Sequence, residues 1–323
     1  MVCDTPLPSR DLIADSIEYM VEAHQFDAMI LMPGCDKIVP GMLIAAMRCN
    51  IPAIVISAGP MMPGRGAGRD MLTLTDMREL IGQAQTGKIT IAQLAEAEKT
   101  ALPGAGTCSM LGTANTMGCL AEVIGMSLPG CGLAHAAESK KRRIAKESGR
   151  RVVEMIKENL HPRDIVTREA LCNGIMASMA MGASTNSTLH LPAIAHEAGI
   201  RLNLDDFDEY SRKIPYLCNI KPSGSHSLYD LECCCGVPAV LKALESRLNL
   251  DVKTCTGRTL GEELKQVDLV ENDVIFPLAA PKKQDGGLAV LHAHPLLEAD
   301  EPRVRVVLEG ALSLLAIVAD DPD

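Results

Sequence analysis

The residues best suited to chemistry in this sequence are two cysteines that lie in loops beside polar groups. Cys35 is followed directly by Asp36 and Lys37, and Cys108 lies in a second loop well downstream. The first loop follows the apolar run 28–32, a pattern typical of a buried strand. A soft thiolate, a hard carboxylate and a basic amine together favour a metal or cluster site. From the residues alone, structural thiols remain the alternative.

A strand, a helix and a second strand must position the first loop. The run 28–32 predicts the first strand, Pro40 and Gly41 open an apolar helix that runs through Met47, and Ala53–Ser57 predicts the second strand. Continuous apolar strands joined by a helix are typical of a parallel βαβ unit. In open α/β sheets, ligands bind just past the carboxyl ends of the strands, where Cys35 would lie. We therefore predict an α/β fold with an open parallel sheet flanked by helices.

Helix signals recur along the rest of the central region. Ser9, Thr90 and Thr167 are predicted to be N-caps, and a helix of small residues is predicted over 113–126. The last of these caps should open a helix that reaches Met181, before a break in the helical pattern. Mostly short helices are expected over 205–265.

The pattern changes past about Asp273. Residues 274–278 and 286–291 resemble strand and turn pieces, and a Pro-rich, acidic stretch ends the sequence. We predict two parts, an α/β domain over 1–272 that carries the site and the incomplete start of a β-rich domain over 273–323.

Composition excludes several classes of function. The 323 residues carry a formal net charge of −10 and only 2% aromatic residues, which argues against a nucleic-acid partner. No stretch of about 18 uncharged apolar residues occurs, so no membrane span is expected. Twelve cysteines without a secretory signal predict a reducing compartment, the cytoplasm.

Generic ligand motifs are incomplete. The glycine-rich segments 64–68 and 104–106 match neither a dinucleotide-binding fingerprint nor a phosphate-binding loop. His190 and His196 are six residues apart in a helical stretch, which is a poor spacing for a zinc pair.

Other polar clusters favour structural roles. The basic run Lys140–Arg143 is interpreted as a solvated helix face, and Cys233–Cys235 as a buried or half-buried structural segment. His292 and His294 would share one face of a strand and are interpreted as surface histidines.

Several segments resemble the dihydroxy-acid dehydratase/phosphogluconate dehydratase family. They occur in the family's order and together extend over roughly residues 7–291. The resembling segments are 7–14, 34–42, 106–117, 182–191 and 285–291.

The resemblance implies an iron–sulfur hydro-lyase. Cys35 and Cys108 match two of three cysteines that hold the family's cluster, generally [2Fe–2S]. Asp36 matches a Mg²⁺ ligand, and Lys37 matches a lysine whose carbamylation turns a cation into an oxygen donor. The implied reaction removes water from a 2,3-dihydroxy carboxylic acid to give a 2-oxo acid, and the implied assembly is a homodimer.

Departures from the family pattern keep other interpretations open. The family's first cluster cysteine lies upstream of the segment that resembles Leu7, and Cys3 and Asp4 stand too close to it for a clean match. The family's catalytic serine belongs to a C-terminal β domain, so no catalytic residue is predicted in this chain. We therefore expect a truncated dehydratase.

The substrate is expected to be the dihydroxy acid of branched-chain amino-acid biosynthesis. The stretch Met110–Gly112 leans instead towards sugar-acid dehydratases. A sugar-acid dehydratase and a non-catalytic fragment are the two alternatives.

Overall fold

The computed structural model describes residues 7–66, 68–292, 304–309 and 315–319. Its helices are α1 (Pro8–His24), α2 (Ile38–Cys49), α3 (Leu74–Gln85), α4 (Ile91–Glu98), α5 (Thr113–Val123), α6 (Ser139–Glu158), α7 (Pro162–Ile165), α8 (Arg168–Met181), α9 (Ser187–Glu197), α10 (Leu204–Lys213), α11 (Leu228–Cys233), α12 (Gly236–Ala243) and α13 (Leu260–Leu264), with a 3-10 turn at Glu245–Arg247. Its strands are β1 (Met29–Leu31), β2 (Ala53–Val55), β3 (Gly64–Gly66), β4 (Arg69–Leu72), β5 (Leu288–His292), β6 (Val304–Glu309) and β7 (Leu315–Ala319).

The predicted parallel βαβ unit is confirmed. β1 and β2 pair in parallel, with Met29 opposite Ala53 and Leu31 opposite Val55. β2 is fully buried, whereas the middle residue of β1, Ile30, is 40% exposed. Within the described residues the parallel sheet has only these two strands, and helices supply most of the fold.

Helix starts follow local capping chemistry. Thr90 and Thr167 cap α4 and α8 as predicted, each accepting a hydrogen bond from a backbone N–H in the first turn. The prediction for Ser9 is wrong, because α1 already begins at Pro8 and Ser9 lies in its first turn. Proline suits the first helical position, where its missing N–H needs no partner.

Among the residues that the structure describes, two apolar clusters form the interior. The large one extends from Ala14 to Val290 and is rich in alanine and methionine, as the low aromatic content requires. A small one joins β4, α3 and α4 through Leu72, Leu80 and Ala97. A buried ion pair connects the small cluster with the rest of the chain, since Lys221 Nζ lies 2.6 Å from both carboxylate oxygens of Asp76.

The basic run on α6 differs from its predicted role. Lys141 is 7% exposed, so the solvated-face prediction is wrong at that position. Its Nζ donates to the carbonyls of Ser57, at 2.8 Å, and Cys131, at 2.6 Å. Ser57 is 84 positions away in the sequence and Cys131 is 10 positions away, so the pattern of charges within the run gave no sign of either acceptor.

The cysteine triplet also departs from the prediction. Cys233 and Cys235 are exposed and Cys234 is half-buried. α11 ends at Cys233, and Cys235 takes a left-handed backbone conformation (φ 69°), so the chain turns at the surface here.

The described part of the C-terminal region is antiparallel. β5 pairs with β6 and β6 with β7, with Val290 opposite Val307 and Val306 opposite Ile317. The stretch 274–278 contributes one isolated bridge, Cys218 to Ile275, instead of the predicted strand. His294 lies outside the described residues, and the division at residue 272 stays a prediction. Among the described residues, no helix has both the length and the apolar character that a membrane crossing requires.

Candidate metal and cluster site

The Cys35 loop continues β1 past its carboxyl end. The Pro33 carbonyl accepts a hydrogen bond from Ala58 N at 2.9 Å, so the two strands stay paired beyond their last residues. The Cys35 carbonyl then accepts from Ile38 N and Val39 N, at 3.2 and 3.3 Å, which starts α2. The Cys35 thiol is exposed, and it lies with Asp36 beside the positive end of the α2 dipole, which favours anionic groups.

The Cys108 loop is joined to the same edge through the continuation of β2. Thr107 pairs in parallel with Pro60, donating its N–H to the Gly59 carbonyl at 2.9 Å and accepting from Met61 N at 3.0 Å. This close approach needs a glycine at position 106, where φ is 135° and a Cβ would lie 2.4 Å from Met61 N.

A buried asparagine fixes the shape of the Cys108 loop. Asn115, 2% exposed on α5, donates to the carbonyls of Cys108 and of Met110, the latter at 2.7 Å. Its side-chain oxygen accepts from the Thr107 hydroxyl. The backbone on both sides of the cysteine is therefore held by one side chain.

The charges of the Cys35 loop act on Cys108. Burial raises the pKa of the Cys108 thiol, and negative charge on Cys35 and on Asp36 raises it further, while Arg78 lowers it. Cys35, Asp36 and Cys108 are therefore close enough to interact. The predicted residues Cys35, Asp36, Lys37 and Cys108 come together at one sheet edge.

A histidine that the sequence analysis set aside completes the edge. His190 on α9 is fully buried, with Nε2 at 3.4 Å from Lys37 Nζ and Nδ1 at 3.4 Å from an Arg10 guanidinium nitrogen. Burial, and then the charges of Lys37 and Arg10, lower the pKa of His190 to about 3. Its ring is therefore neutral. The signal for His190 in the sequence is its place in the resembling segment 182–191.

The segment that carries His190 packs directly against the Cys108 segment. Asn186 Nδ2 donates to the Thr113 hydroxyl at 2.8 Å, and Ser184 N donates to the Thr116 hydroxyl at 3.0 Å. Gly182, with φ 63°, ends α8 and turns the chain towards these contacts. Three distant stretches of sequence thus form one polar edge.

Comparison with known proteins shows to which family the chain belongs. A sequence profile described as the N-terminal region of dihydroxy-acid/6-phosphogluconate dehydratases matches residues 2–263. The chain belongs to this dehydratase family. The matched range includes both cysteine loops and the His190 segment.

Curated relatives agree with this assignment. Proteins named dihydroxy-acid dehydratase from Methanothermobacter thermautotrophicus and Methanosphaera stadtmanae are 48% and 46% identical to it over 317 residues, 98% of this chain. A third, from Halothermothrix orenii, is 48% identical over 287 residues, which is 88% of this chain and 52% of that protein. The chain spans 57% of the length of the first two relatives.

The other polar residues singled out in the sequence belong to different segments of the chain. Cys233–Cys235 lie on and after α11. Cys3 and Asp4 lie outside the described residues.

Proposed function

We propose that the protein is a hydro-lyase that converts a 2,3-dihydroxy carboxylic acid to a 2-oxo acid in branched-chain amino-acid biosynthesis. The observation that carries the proposal is the placement of the Cys35 loop, with Asp36 and Lys37, after β1 and of the Cys108 loop beside the continuation of β2, in a dehydratase-family fold. The names of the relatives at 46–48% identity support this substrate class over a sugar acid.

The donor set fits the cofactors that the resemblance implies. Cys35 and Cys108 would hold a [2Fe–2S] cluster with their soft thiolates, and Asp36 and Lys37 would hold Mg²⁺ with hard oxygen donors. When bound, these groups supply Lewis acidity towards substrate hydroxyl and carboxylate oxygens. The exposure of Cys35 and Asp36 leaves the edge open to a small molecule.

The contacts of His190 support a modified Lys37. A neutral imidazole has one N–H and one lone pair, so it can accept a hydrogen bond from Lys37 or from Arg10 but not from both. With an ammonium on Lys37, one cation therefore faces a ring N–H. A carbamate on Lys37 removes the conflict, because His190 Nε2–H then donates to the carbamate while Nδ1 accepts from Arg10. His190 would thus orient the Lys37 carbamate.

A homodimer is the assembly that we propose. Leu12 and Tyr19 lie seven residues apart on one face of α1 and are 68% and 78% exposed. Two such side chains in line are suited to an apolar interface. Light scattering should give a dimer mass, and Tyr19→Lys should shift it towards the monomer. A monomeric wild-type protein would contradict the assembly.

The cytoplasm is the compartment that we propose. The described cysteines are all free thiols, which agrees with a reducing environment.

Cluster binding can be tested without turnover. We expect anaerobically purified protein to contain iron and acid-labile sulfide and to show the visible absorption of a [2Fe–2S] cluster. Cys35→Ser and Cys108→Ser should each remove most of the iron, sulfide and absorption. The matched control is Cys233→Ser, an exposed cysteine outside the edge, which should leave them unchanged. Equal iron content in all variants would contradict the proposed ligands.

Activity is tested with the C-terminal part of the Methanothermobacter relative joined to this chain, since the chain spans 57% of that protein. The fusion should form a 2-oxo acid from a branched 2,3-dihydroxy acid faster than from an aldonic acid, and Cys108→Ala should abolish the reaction. Preference for the aldonic acid would support the sugar-acid alternative. A folded, cluster-loaded fusion that is inactive on both would contradict the proposed activity.

A further inference from the structure

A buried histidine lies in the loop that precedes α6. His135 is 1% exposed, and within the described residues neither of its ring nitrogens has a hydrogen-bond partner. The Leu133 carbonyl lies near enough to favour the protonated ring but does not meet hydrogen-bond geometry. A buried polar group without a partner costs free energy, so such groups call for an explanation.

Two carboxylates face this imidazole. Glu138 is the residue that precedes α6, and Glu232 lies on α11. One ligand atom each of His135, Glu138 and Glu232 lies within 4.8 Å of the others. Lys140 Nζ lies 2.5 Å from a Glu232 oxygen and compensates part of the negative charge.

The surroundings keep the imidazole in its ligating form. Burial lowers the pKa of His135, and the charges of Glu138 and Glu232 oppose this without reversing it, so the ring is neutral. The Tyr229 ring meets it edge-on, with centroids 5.3 Å apart, and restricts its orientation. A neutral imidazole with two carboxylates is a donor set for zinc-class transition ions, whereas Mg²⁺ prefers oxygen alone.

We propose that His135, Glu138 and Glu232 bind a divalent transition-metal ion of the zinc class. Bonds of about 2.0–2.2 Å would place the ligand atoms about 3.4 Å apart, so the two partly exposed glutamates must rotate inwards by a small amount. The site shares no residue with the Cys35–Cys108 edge and does not rest on the proposed function.

The ion would have a structural role. It would connect α11 with the start of α6 and with the loop before α6 that carries His135. In this loop, Ala136 N donates a hydrogen bond to the Pro60 carbonyl at 3.2 Å. Pro60 in turn pairs with Thr107, the residue before Cys108. The ion would therefore brace the strand continuation that carries the Cys108 loop.

Cobalt is the probe for this site, because Co²⁺ replaces zinc and its spectrum separates thiolate from nitrogen and oxygen ligands. Titration of the full chain with Co²⁺ should give a visible band for one ion, without the near-ultraviolet thiolate-to-cobalt band. His135→Gln and Glu138→Gln should each weaken that band's affinity by roughly 10–100-fold. Glu138→Gln keeps the size and shape of a partly exposed side chain, so this variant should fold. It therefore tests the metal site even if His135→Gln fails to fold.

Two further variants sharpen the test. Lys140→Met should tighten Co²⁺ binding, because it frees Glu232 from its ammonium partner. The matched control Glu147→Gln, an exposed glutamate on α6 paired with Arg150, should change nothing. Excess Mg²⁺ should leave the cobalt spectrum unaltered. Binding that is unaffected by His135→Gln and Glu138→Gln, a spectrum of thiolate bands alone, or displacement by Mg²⁺ would overturn the proposal.

Discussion

Two lysines lie at the carboxyl end of the parallel strands, and they differ in how their ammonium groups are partnered. Lys141 is 7% exposed and donates to two backbone carbonyls. The Lys37 side chain is 12% exposed, but its Nζ lies 3.8 Å from Asp36 and 3.4 Å from a neutral His190. A buried cation with good acceptors holds the fold together, whereas a cation with poor ones is available for chemistry.

The first lysine belongs to a fully partnered buried cluster. Glu122, on α5, accepts from the N–H groups of Gly130 and Gly132, each at 2.7 Å, and interacts with Lys141 through space. These bonds close the turn between α5 and the loop that leads to α6. The edge around Lys37 has no comparable closure, and we expect substitutions in the two regions to separate stability from ligand binding.

The largest effect on stability is expected from Lys141→Met. The change leaves the Ser57 and Cys131 carbonyls without their donor and Glu122 without its nearby cation. Breaking such a buried arrangement costs about 3–5 kcal/mol. Urea unfolding followed by circular dichroism measures this loss. A loss below about 1 kcal/mol, the range of an exposed pair, would show that Lys141 contributes no more to stability than Lys37 does.

The next effect concerns pH and Glu122. Burial raises the pKa of this carboxyl from 4.5 to about 7, although Gly132, Gly130 and Lys141 oppose the shift. The folded state then binds the proton more tightly than the unfolded state, so this group's contribution to stability is full below pH 4.5 and is lost as pH rises through 7. The free energy of unfolding should fall by about 2–3 kcal/mol across that window.

Glu122→Gln provides the control for this pH effect. The amide oxygen keeps one acceptor for the glycine N–H groups but cannot titrate. The difference in unfolding free energy between wild type and variant should therefore change over pH 4.5–7 and stay level at lower pH. Parallel curves for the two proteins would show that Glu122 does not titrate in this window.

The sequence could predict those parts of the molecule that depend on neighbouring residues. The caps at Thr90 and Thr167 and the βαβ unit follow from patterns a few residues long. The placement of the Cys35 loop just past the carboxyl end of β1 followed from the rule that ligands gather at strand ends.

Long-range partners explain what the sequence could not predict. His190 contacts Lys37 and Arg10 across 153 and 180 positions, so its spacing from His196 did not reveal these partners. Lys141 sits among basic residues, and one of its two carbonyl acceptors, Ser57, lies 84 positions away in the sequence. The three ligands of the proposed transition-metal site likewise come from two elements that are nearly a hundred residues apart.

A smaller effect is expected from Lys221→Met, which tests whether the small apolar cluster is held by its ion pair. Burial alone would raise the pKa of Asp76, but hydrogen bonds from Lys221 and Thr73 outweigh it and lower the pKa to about 2. The pair therefore stabilises the fold above pH 3.8, and that stability is lost as pH falls through 2. Substitution should cost about 2 kcal/mol at neutral pH and flatten the acid limb of the stability curve.

Its matched control is Lys99→Met, since Lys99 pairs with Glu96 at the surface, with side chains 67% and 72% exposed. That change should cost less than about 0.5 kcal/mol. The Lys221 carbonyl also accepts a hydrogen bond from Leu111 N, close to Cys108. We therefore expect the loss of the ion pair in acid to loosen the Cys108 loop, which hydrogen exchange at residues 108–112 would measure. If Lys221→Met and the wild type unfold at the same acid pH, the ionisation of Asp76 does not stabilise this region.

The smallest effect on stability is expected from Lys37→Met. Its ion pair with the 46% exposed Asp36 is long. Its ammonium group also competes with the Arg10 guanidinium for the one lone pair of the neutral His190 ring. Such a pair contributes about 0–1 kcal/mol, and relief of the repulsion offsets part of it. The free energy of unfolding in urea should therefore change by less than about 1 kcal/mol. If the proposed Mg²⁺ site is correct, Mg²⁺ should raise the melting temperature of the wild type but not of the variant. A loss of stability as large as that of Lys141→Met would make Lys37 a structural residue, and the distinction between the two lysines would fail.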